Sequence, residues 1–362
     1  MLTSSPFFES DTLLQLRTLK GSQRRDFVRK IWPDVGLHHN AFDEASCEAI
    51  IEHIVSELDR VRHHGRLFAA HNFEETFSII QHLRENRSMT CRDVARTLTP
   101  QFPNATPEAI RRSIELSVRV WLTVNIHSTA IAVGSIAAGE TSHNWAEDRS
   151  LDELLSDKFI GHSHGQQQIQ RATFDPVLTA AYLVRVCGMK LRWTDDIGSH
   201  LAFDPRRLVL SIYRHKACLV SHLNKQQDCP LPVKVLEETL DTLDLLFPPW
   251  EASARQLLKD EGQQSLFTLG CRRNKRILDL THYQCFGEAL DQVMDAFDKN
   301  PRTWKQLALD RRNKLEWAAF WVTAMVAMLT LVSIPCNIIQ ATYSVKAYNL
   351  AVAQGRIGLA AA

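Results

Sequence analysis

The segment that most constrains this chain lies near its end, where no charged residue occurs between Trp317 and Val345. Its apolar part, 317–339, is 23 residues long. Because an α-helix rises about 1.5 Å per residue, such a helix spans roughly 34 Å, and the hydrocarbon core of a bilayer is about 30 Å thick. A core helix of a soluble domain is the alternative, but it would carry a polar stripe toward solvent. Here the polar side chains before Pro335 are three hydroxyls, which can bond back to the helix backbone. The segment therefore predicts a transmembrane helix.

The residues that flank this segment predict its orientation. Its start carries Trp317, Phe320 and Trp321, and aromatic rings favour the headgroup boundary of a bilayer. Basic residues number six before the segment and two after it. The six are Lys299, Arg302, Lys305, Arg311, Arg312 and Lys314, and the two are Lys346 and Arg356. Since positive residues prefer the cytosolic side, we expect a cytosolic N-terminal body and a tail across the membrane.

The chain divides by composition into four parts. These are a helical body (1–300), a basic juxtamembrane segment (301–316), the transmembrane helix (317–339) and a short tail (340–362). A subdivision of the body near 140–175 is left open. Pro335 lacks the N–H that a helix interior uses, so we expect the helix to kink or end near Ile334. The N-terminal residues lack the basic and apolar stretches of a signal peptide, which predicts a tail-anchored, single-pass protein.

Hydrophobic spacing predicts that the body is built mainly from helices. Apolar residues between 47 and 61 recur at i, i+3, i+4 and i+7, the pattern of one helix face. Similar patterns cover 73–83, 94–98, 107–121, 178–186, 232–247 and 280–297. Ser150 and Glu153 have the spacing of a capping box, so a helix is expected from Leu151. Two β-rich runs, 190–194 and 208–213, are expected to pair. The predicted fold class is mainly α, with a small β element near 190–213 and one C-terminal transmembrane helix.

Composition excludes several classes of function. The chain has 42 basic and 41 acidic residues, which gives no general electrostatic attraction to nucleic acid. None of its eight cysteines forms a C-x-x-C pair, so neither a zinc knuckle nor a redox motif is present. No cofactor and no metal are predicted.

The uncharged run 120–139 has two interpretations, a buried helix end with a loop or a second membrane segment. Asn125 and His127 favour the first, because they are costly at bilayer depth.

The loop around Ser163 carries the only pattern that suggests catalysis. Residues 161–165 read GHSHG, which matches the G-x-S-x-G turn that exposes a nucleophilic serine in hydrolases. That turn requires a preceding buried strand, whereas 151–160 predicts an acidic capped helix. His162 and His164 could also bind a metal, although a solvated loop explains them as well. A membrane-tethered hydrolase or metal enzyme using this loop is the first alternative function.

Two further groups of residues allow more than one interpretation. Asp195, Asp196 and His200 form a compact polar group that could bind a cation, but an aspartate that caps a helix containing His200 is the favoured explanation. Residues 90–122 have the pattern of a helix-turn-helix. Its second helix would carry Arg111, Arg112 and Arg119. A membrane-tethered nucleic-acid binder is therefore the second alternative, and the balanced net charge makes it unlike most such proteins.

Three motifs in the second half of the chain resemble a known family. They are WTDDIGSHL at 193–201, LDTLDLLFPPW at 240–250, and DRRN at 310–313 followed by Glu316, Trp317, Phe320 and Trp321. In this order they resemble a large family of uncharacterised proteins of filamentous ascomycete fungi. The resemblance also includes 118–122. It implies a helical cytosolic body that ends in a membrane helix, and it implies no activity. Members commonly show Phe-Gly late in the span, whereas this chain has Ser333, Ile334 and Pro335.

These features together predict a single-pass membrane-anchored protein. We expect a non-enzymatic interaction or scaffold module whose partners are the lipid bilayer and a protein of unknown identity. Nucleic acid is not an expected partner.

Overall fold

The computed structural model describes residues 6–34, 44–128, 140, 142–160, 173–268, 272–273, 275–298, 308 and 314–360. The chain forms two compact units, which comprise residues 1–299 and 300–362. The first unit is mainly helical with a few short strands, and the second contains one long apolar helix. The predicted mainly α fold, with a small β element and one long apolar C-terminal helix, is therefore confirmed.

The helices and strands of the first unit follow in chain order. Its helices are α1 (Ser10–Thr18), α2 (Gly21–Ile31), α3 (Glu44–Val61), α4 (Phe73–Glu85), α5 (Cys91–Leu98), α6 (Pro107–Leu122), α7 (Leu151–Ile160), α8 (Ala180–Arg185), α9 (Lys216–Asn224), α10 (Val233–Leu246), α11 (Ala252–Asp260), α12 (Ser265–Thr268) and α13 (Gly287–Phe297). Its strands are β1 (Ile126–His127), β2 (His143–Asn144), β3 (Lys190–Thr194), β4 (Phe203–Asp204) and β5 (Val209–Tyr213).

Local sequence signals set the starts of several helices. Asn72, Thr90 and Thr106 each accept a hydrogen bond from a backbone N–H three residues ahead, at the starts of α4, α5 and α6. The capping box of α7 is confirmed, because Glu153 N–H donates to Ser150 Oγ at 3.2 Å and Ser150 N–H donates to Glu153 Oε2 at 3.0 Å. These contacts satisfy amides that have no partner within the helix.

Helices α3 and α6 form the centre of the body. Helix α3 packs against α1, α2 and α6, while α6 also packs against α4, α5 and β1. Their apolar side chains join one core that contains the fully buried indoles of Trp32, Trp121 and Trp145. The two central helices thus form the scaffold on which the later elements are placed.

The predicted β element near 190–213 is a three-stranded sheet in the order β3-β5-β4. Strand β3 pairs with β5 in parallel, from Lys190 opposite Val209 to Thr194 opposite Tyr213. Strand β4 pairs with β5 in antiparallel. The predicted pairing is confirmed, and its parallel direction brings the carboxyl ends of β3 and β5 to the same edge.

The predicted helix across 280–297 is wrong in its first half. A 3₁₀ turn covers Leu280–His282, and α13 begins only at Gly287. Between them the Glu238 carboxylate accepts hydrogen bonds from the N–H groups of Gln284, Cys285 and Phe286, at 2.8, 2.7 and 3.2 Å. These amides bond to a side chain of α10 instead of to a helical turn, so a tertiary contact overrides the apolar spacing.

The uncharged run 120–139 begins as a buried helix end in its described part. Helix α6 ends at Leu122, and Thr123 has a left-handed backbone with φ of 53°. Val124 and Ile126 are buried in the core. The interpretation as a buried helix end is confirmed for 120–128, and 129–139 lie outside the described residues.

The second unit contains α14 (Lys314–Ala360), a helix of 47 residues. Pro335 lies inside it, so of the two expected effects, a kink or an end near Ile334, the end is wrong. Proline removes only its own N–H from the helical pattern and can be accommodated within a continuing helix, usually with a kink. The amides beyond it still bond to carbonyls one turn earlier, which allows the helix to continue.

Two serines on α6 provide a matched test of how the core is held. Ser113 Oγ accepts hydrogen bonds from Ala69 and Ala70 N–H, at 2.8 and 3.0 Å, whereas Ser117 Oγ donates back to the Ser113 carbonyl at 2.7 Å. Both side chains are buried. We expect Ser113→Ala to lower the free energy of unfolding by about 2 kcal/mol, because it leaves the buried Ala70 amide without its acceptor, while Ala69 N–H keeps the Ala109 carbonyl at 3.2 Å. Ser117→Ala should change it by less than about 0.5 kcal/mol.

The measurement is denaturant unfolding of the full chain in detergent micelles, followed by near-ultraviolet circular dichroism of the buried indoles. Equal losses for the two variants would contradict the assigned role of Ser113.

Candidate functional site

A buried cluster of charged side chains forms where the parallel strands end. Asp195 directly follows β3, and Arg214 and His215 directly follow β5. Because parallel strands present their carboxyl ends at one edge, these residues meet there. His53 reaches the same point from α3. One ligand-type atom each from His53, Asp195 and His215 lies within 4.8 Å of the other two.

The Asp195 carboxylate is the centre of this cluster. Arg214 binds it through two atoms, with Nε 2.5 Å from Oδ1 and Nη2 3.1 Å from Oδ2. His215 Nε2 lies 2.7 Å from Oδ1, and His53 Nδ1 lies 3.8 Å from Oδ2. The Asp195 side chain is 18% exposed, while the two histidines are almost fully buried. The carboxylate therefore faces the histidines on its inner side and solvent on a narrow outer side.

Neighbouring groups orient His53. Its Nε2 lies 3.2 Å from the Arg119 carbonyl oxygen, to which only a protonated nitrogen can donate. That bond leaves Nδ1 directed at Asp195. Within the described part of the chain, neither Nδ1 of His53 nor Nδ1 of His215 has a hydrogen-bond partner. One turn along α3, Glu57 pairs with Arg60 at 2.5 Å and with Arg119 at 3.4 Å.

The environment separates the proton affinities of the three groups. Burial alone would raise the pKa of Asp195, but the hydrogen bond from His215 and the charges of His215 and His53 outweigh it and hold that pKa well below its usual range. Burial lowers the pKa of His215 to about 4. Burial also acts to lower the pKa of His53, but Asp195 and Glu57 outweigh it, so that pKa is raised. The cluster thus combines a stable carboxylate, a neutral imidazole and a more basic imidazole.

The polar group predicted at Asp195, Asp196 and His200 separates in the structure. Asp196 caps the 3₁₀ turn Ile197–Ser199, where its Oδ1 accepts the Gly198 N–H at 3.1 Å, so the capping interpretation is confirmed for this residue. His200 directly follows the turn. Its Nδ1 accepts the Tyr213 N–H at 3.2 Å, and its Nε2 lies 2.7 Å from Thr242 Oγ1. Asp195 instead turns toward His53 and His215.

The arginines of the predicted helix-turn-helix are paired with acids. Arg111 pairs with Glu147, Arg112 with Glu108 and Arg119 with Glu57. The side chains of Arg112 and Arg119 are only 12% and 13% exposed. These three residues therefore do not form an open basic surface on α6.

The hydrolase-like loop lies outside the described residues, and so do His162, Ser163 and His164. Helix α7 precedes it where the hydrolase turn would require a strand. Of the basic residues predicted to set topology, Lys299, Arg302, Lys305, Arg311 and Arg312 also lie outside the described part. Lys314 is the first residue of α14 and is exposed.

The aromatic residues predicted at the start of the membrane segment form one cluster. Trp317 and Trp321 meet edge to face with ring centroids 6.3 Å apart, and Phe320 and Trp321 are 5.5 Å apart. Trp317 Nε1–H donates to the Ala308 carbonyl oxygen at 3.0 Å. The indole N–H is therefore satisfied while the ring faces stay beside the apolar helix.

Sequence reasoning did not identify His53 and His215 as site residues. A signal for His53 was present, because it lies three residues after Ile50 on α3, and Glu57 lies four residues after His53. These polar residues share the buried face of a helix with apolar ones. No comparable local pattern marks His215, whose role depends on the pairing of β5 with β3.

Comparison with known proteins gives no relative for this chain, since no family model, no curated protein and no solved structure matches it.

The charge of Asp195 should contribute strongly to stability. We expect Asp195→Asn to lower the free energy of unfolding by about 3 kcal/mol, because it leaves the Arg214 guanidinium partly buried without its countercharge. The matched control is Asp59→Ala, which breaks an exposed pair with Arg62 at 3.4 Å and should change stability by less than about 1 kcal/mol. Denaturant unfolding of the full chain in micelles measures both, and a loss for Asp195→Asn no larger than the control would contradict this role.

His200 should make the body less stable in mild acid. Burial lowers its pKa from 6.5 to about 3, so between these values the unfolded chain binds a proton that the folded chain does not. Stability from this group is therefore present above pH 6.5 and is lost as the pH falls, by about 2 kcal/mol between pH 7 and pH 5.

The corresponding measurement is the slope of unfolding free energy against pH for the wild type and His200→Gln. The variant should flatten the slope by up to about 1.4 kcal/mol per pH unit. The exposed His64→Gln serves as the control and should leave the slope unchanged, and equal slopes in all three proteins would refute the assignment.

Proposed function

We propose that the chain is a single-pass membrane-anchored protein whose helical body acts as a non-enzymatic interaction module on the cytosolic face. The main support for a membrane anchor is the exposed apolar surface of α14. A 39-residue stretch, Lys314–Val352, includes a window with mean hydropathy of 2.0, and none of that window is buried in the part of the chain that the structure describes. Side chains such as Met328 and Leu331 are more than 60% exposed. Soluble monomers rarely expose so large an apolar surface to water.

The polar atoms of α14 support a lipid environment. The hydroxyls of Thr323 and Thr330 each donate to a carbonyl four residues earlier, both at 2.8 Å. Ser333 donates to the Thr330 carbonyl at 2.9 Å, and Thr342 and Ser344 bond back in the same way. Since the bilayer core offers no water, polar groups there must be satisfied by the protein itself. These hydroxyls meet that requirement.

The ends of the helix support the proposed orientation. The cluster of Trp317, Phe320 and Trp321 suits one headgroup boundary, because aromatic rings concentrate there. Gln340, Lys346 and Asn349 would mark the other boundary. The excess of basic residues before the span favours a cytosolic body and a translocated tail.

An interaction role for the body rests on two observations that disfavour the alternatives. Helix α7, and not a strand, precedes residues 161–165, which disfavours the hydrolase. The arginines of α6 are paired with acids, which disfavours the nucleic-acid binder. A protein partner for the body is therefore proposed, with the bilayer as the partner of α14.

Two arginines in the middle of α14 test the anchor. We expect the full chain to remain in the membrane pellet after alkaline extraction. Leu329→Arg combined with Val332→Arg should release it, because each arginine at the centre of a membrane helix costs about 3 kcal/mol on insertion. Val177→Arg on the exposed surface of the body should leave the protein in the pellet. Retention of the double variant would contradict the anchor.

The orientation is tested separately with a glycosylation acceptor appended after Ala362 and expressed where the protein reaches the endoplasmic reticulum. The tail should be glycosylated, and the body should be digested by protease added to sealed vesicles. A protected body would reverse the proposed orientation without affecting the anchor.

A further inference from the structure

The space between His53 Nδ1 and Asp195 Oδ2 is the feature of the body that suggests a bound ligand. An ionised carboxylate offers about four lone-pair sites, two on each oxygen. Arg214 takes one site on each oxygen, and His215 takes the remaining site on Oδ1. The remaining site on Oδ2 faces His53 Nδ1 at 3.8 Å. In the neutral form of His53, which carries its proton on Nε2 for the Arg119 carbonyl, Nδ1 is also an acceptor. Two acceptors therefore face each other in a buried place.

We propose that His53, Asp195 and His215 form a binding site for one divalent transition-metal ion of the zinc class. His53 would contribute Nδ1, Asp195 an oxygen and His215 its Nε2. On metal binding, His215 would give up its hydrogen bond to Asp195 Oδ1 and carry its proton on Nδ1 instead. Two imidazoles and a carboxylate are the donor set that suits zinc and the neighbouring divalent first-row metals. Nothing in the anchoring role of α14 requires this site.

The distances suit a metal better than a proton. A charge-assisted N–H···O bond is about 2.7–2.9 Å long, so a proton on His53 Nδ1 would leave the 3.8 Å separation too wide. Metal bonds to imidazole nitrogen and carboxylate oxygen are about 2.0–2.2 Å, so one ion can bridge two ligand atoms up to roughly 4 Å apart. The three ligand atoms lie within 4.8 Å of one another, so a pair at that limit would have to approach by about 1 Å for both to bind one ion.

The surroundings already contain part of an outer ligand shell. Ligating histidines usually donate their second N–H to a carbonyl or carboxylate, as His53 Nε2 does to the Arg119 carbonyl oxygen at 3.2 Å. Ligating carboxylates are themselves hydrogen-bonded, as Asp195 is by Arg214. The 18% exposed face of Asp195 gives the ion a route from solvent and leaves room for a water as fourth ligand.

The nearby charges make the site selective for a tightly coordinated ion. Arg214 opposes a cation, while Glu57 favours one and is itself shared between Arg60 and Arg119. An ion held only by electrostatic attraction would gain little here, so binding must come from coordination by the two imidazoles. Such an ion would join α3 to the edge of the sheet.

The test uses the full chain purified in detergent micelles and stripped with a chelator, with Zn²⁺ and Co²⁺ as probes. We expect one equivalent of Zn²⁺ by elemental analysis after desalting, and a visible Co²⁺ spectrum of a four-coordinate site. His53→Gln and His215→Gln should each weaken binding more than tenfold. His222→Gln removes another buried histidine and should bind as the wild type does.

Several outcomes would overturn the proposal. One is a folded wild type that retains less than about a tenth of an equivalent. Another is full binding by His53→Gln or His215→Gln, and a third is loss of binding in the double variant His162→Gln and His164→Gln, which would move the metal to the loop. If the ligand variants fail to fold, X-ray absorption of the Zn²⁺-loaded wild type decides instead. Two imidazoles and one carboxylate support the site, and any thiolate or fewer than two imidazoles contradicts it.

Discussion

The buried carboxylate of Asp195 is the contact on which the arrangement of the body depends. Arg214 and His215 approach it from the end of β5, and His53 approaches it from α3. These elements are far apart in the chain, and their backbones are packed so that a single negative charge is shared among them. A carboxylate can be buried only where such partners replace water, so the contact specifies how α3, β3 and β5 must meet.

The same rule explains other parts of the body. On α10, Glu238 binds three consecutive amides before α13, and Asp241 pairs with Arg272, Arg273 and His282. Asp244, one turn further, pairs with Lys216 at 3.0 Å. Acids on the buried side of one helix thus position irregular segments that apolar contacts alone would leave undetermined, because hydrogen bonds are directional and hydrophobic contacts are not.

The two units of the chain follow opposite rules for their side chains. In the body, apolar residues of α3 and α6 are buried, and charged side chains that lie in the core are paired with opposite charges or with backbone amides. In α14, apolar residues point outward, and the hydroxyls bond back to the helix itself. The first pattern suits a chain in water, and the second suits a helix whose surroundings offer no hydrogen bonds.

Much of the secondary structure was determined by the sequence itself, because it depends on neighbours along the chain. The apolar length of 317–339 specifies a helix that is long enough to cross a bilayer, and the cap at Ser150 and Glu153 starts α7. Only the tertiary structure decided that β3 and β5 run parallel and that Asp195 meets His53. It also decided that Glu238 interrupts the helix expected across 280–297. Local sequence patterns indicate which residues prefer to be buried and which helix ends have capping hydrogen bonds. The partner of a buried polar group depends instead on packing between segments that are distant in the chain.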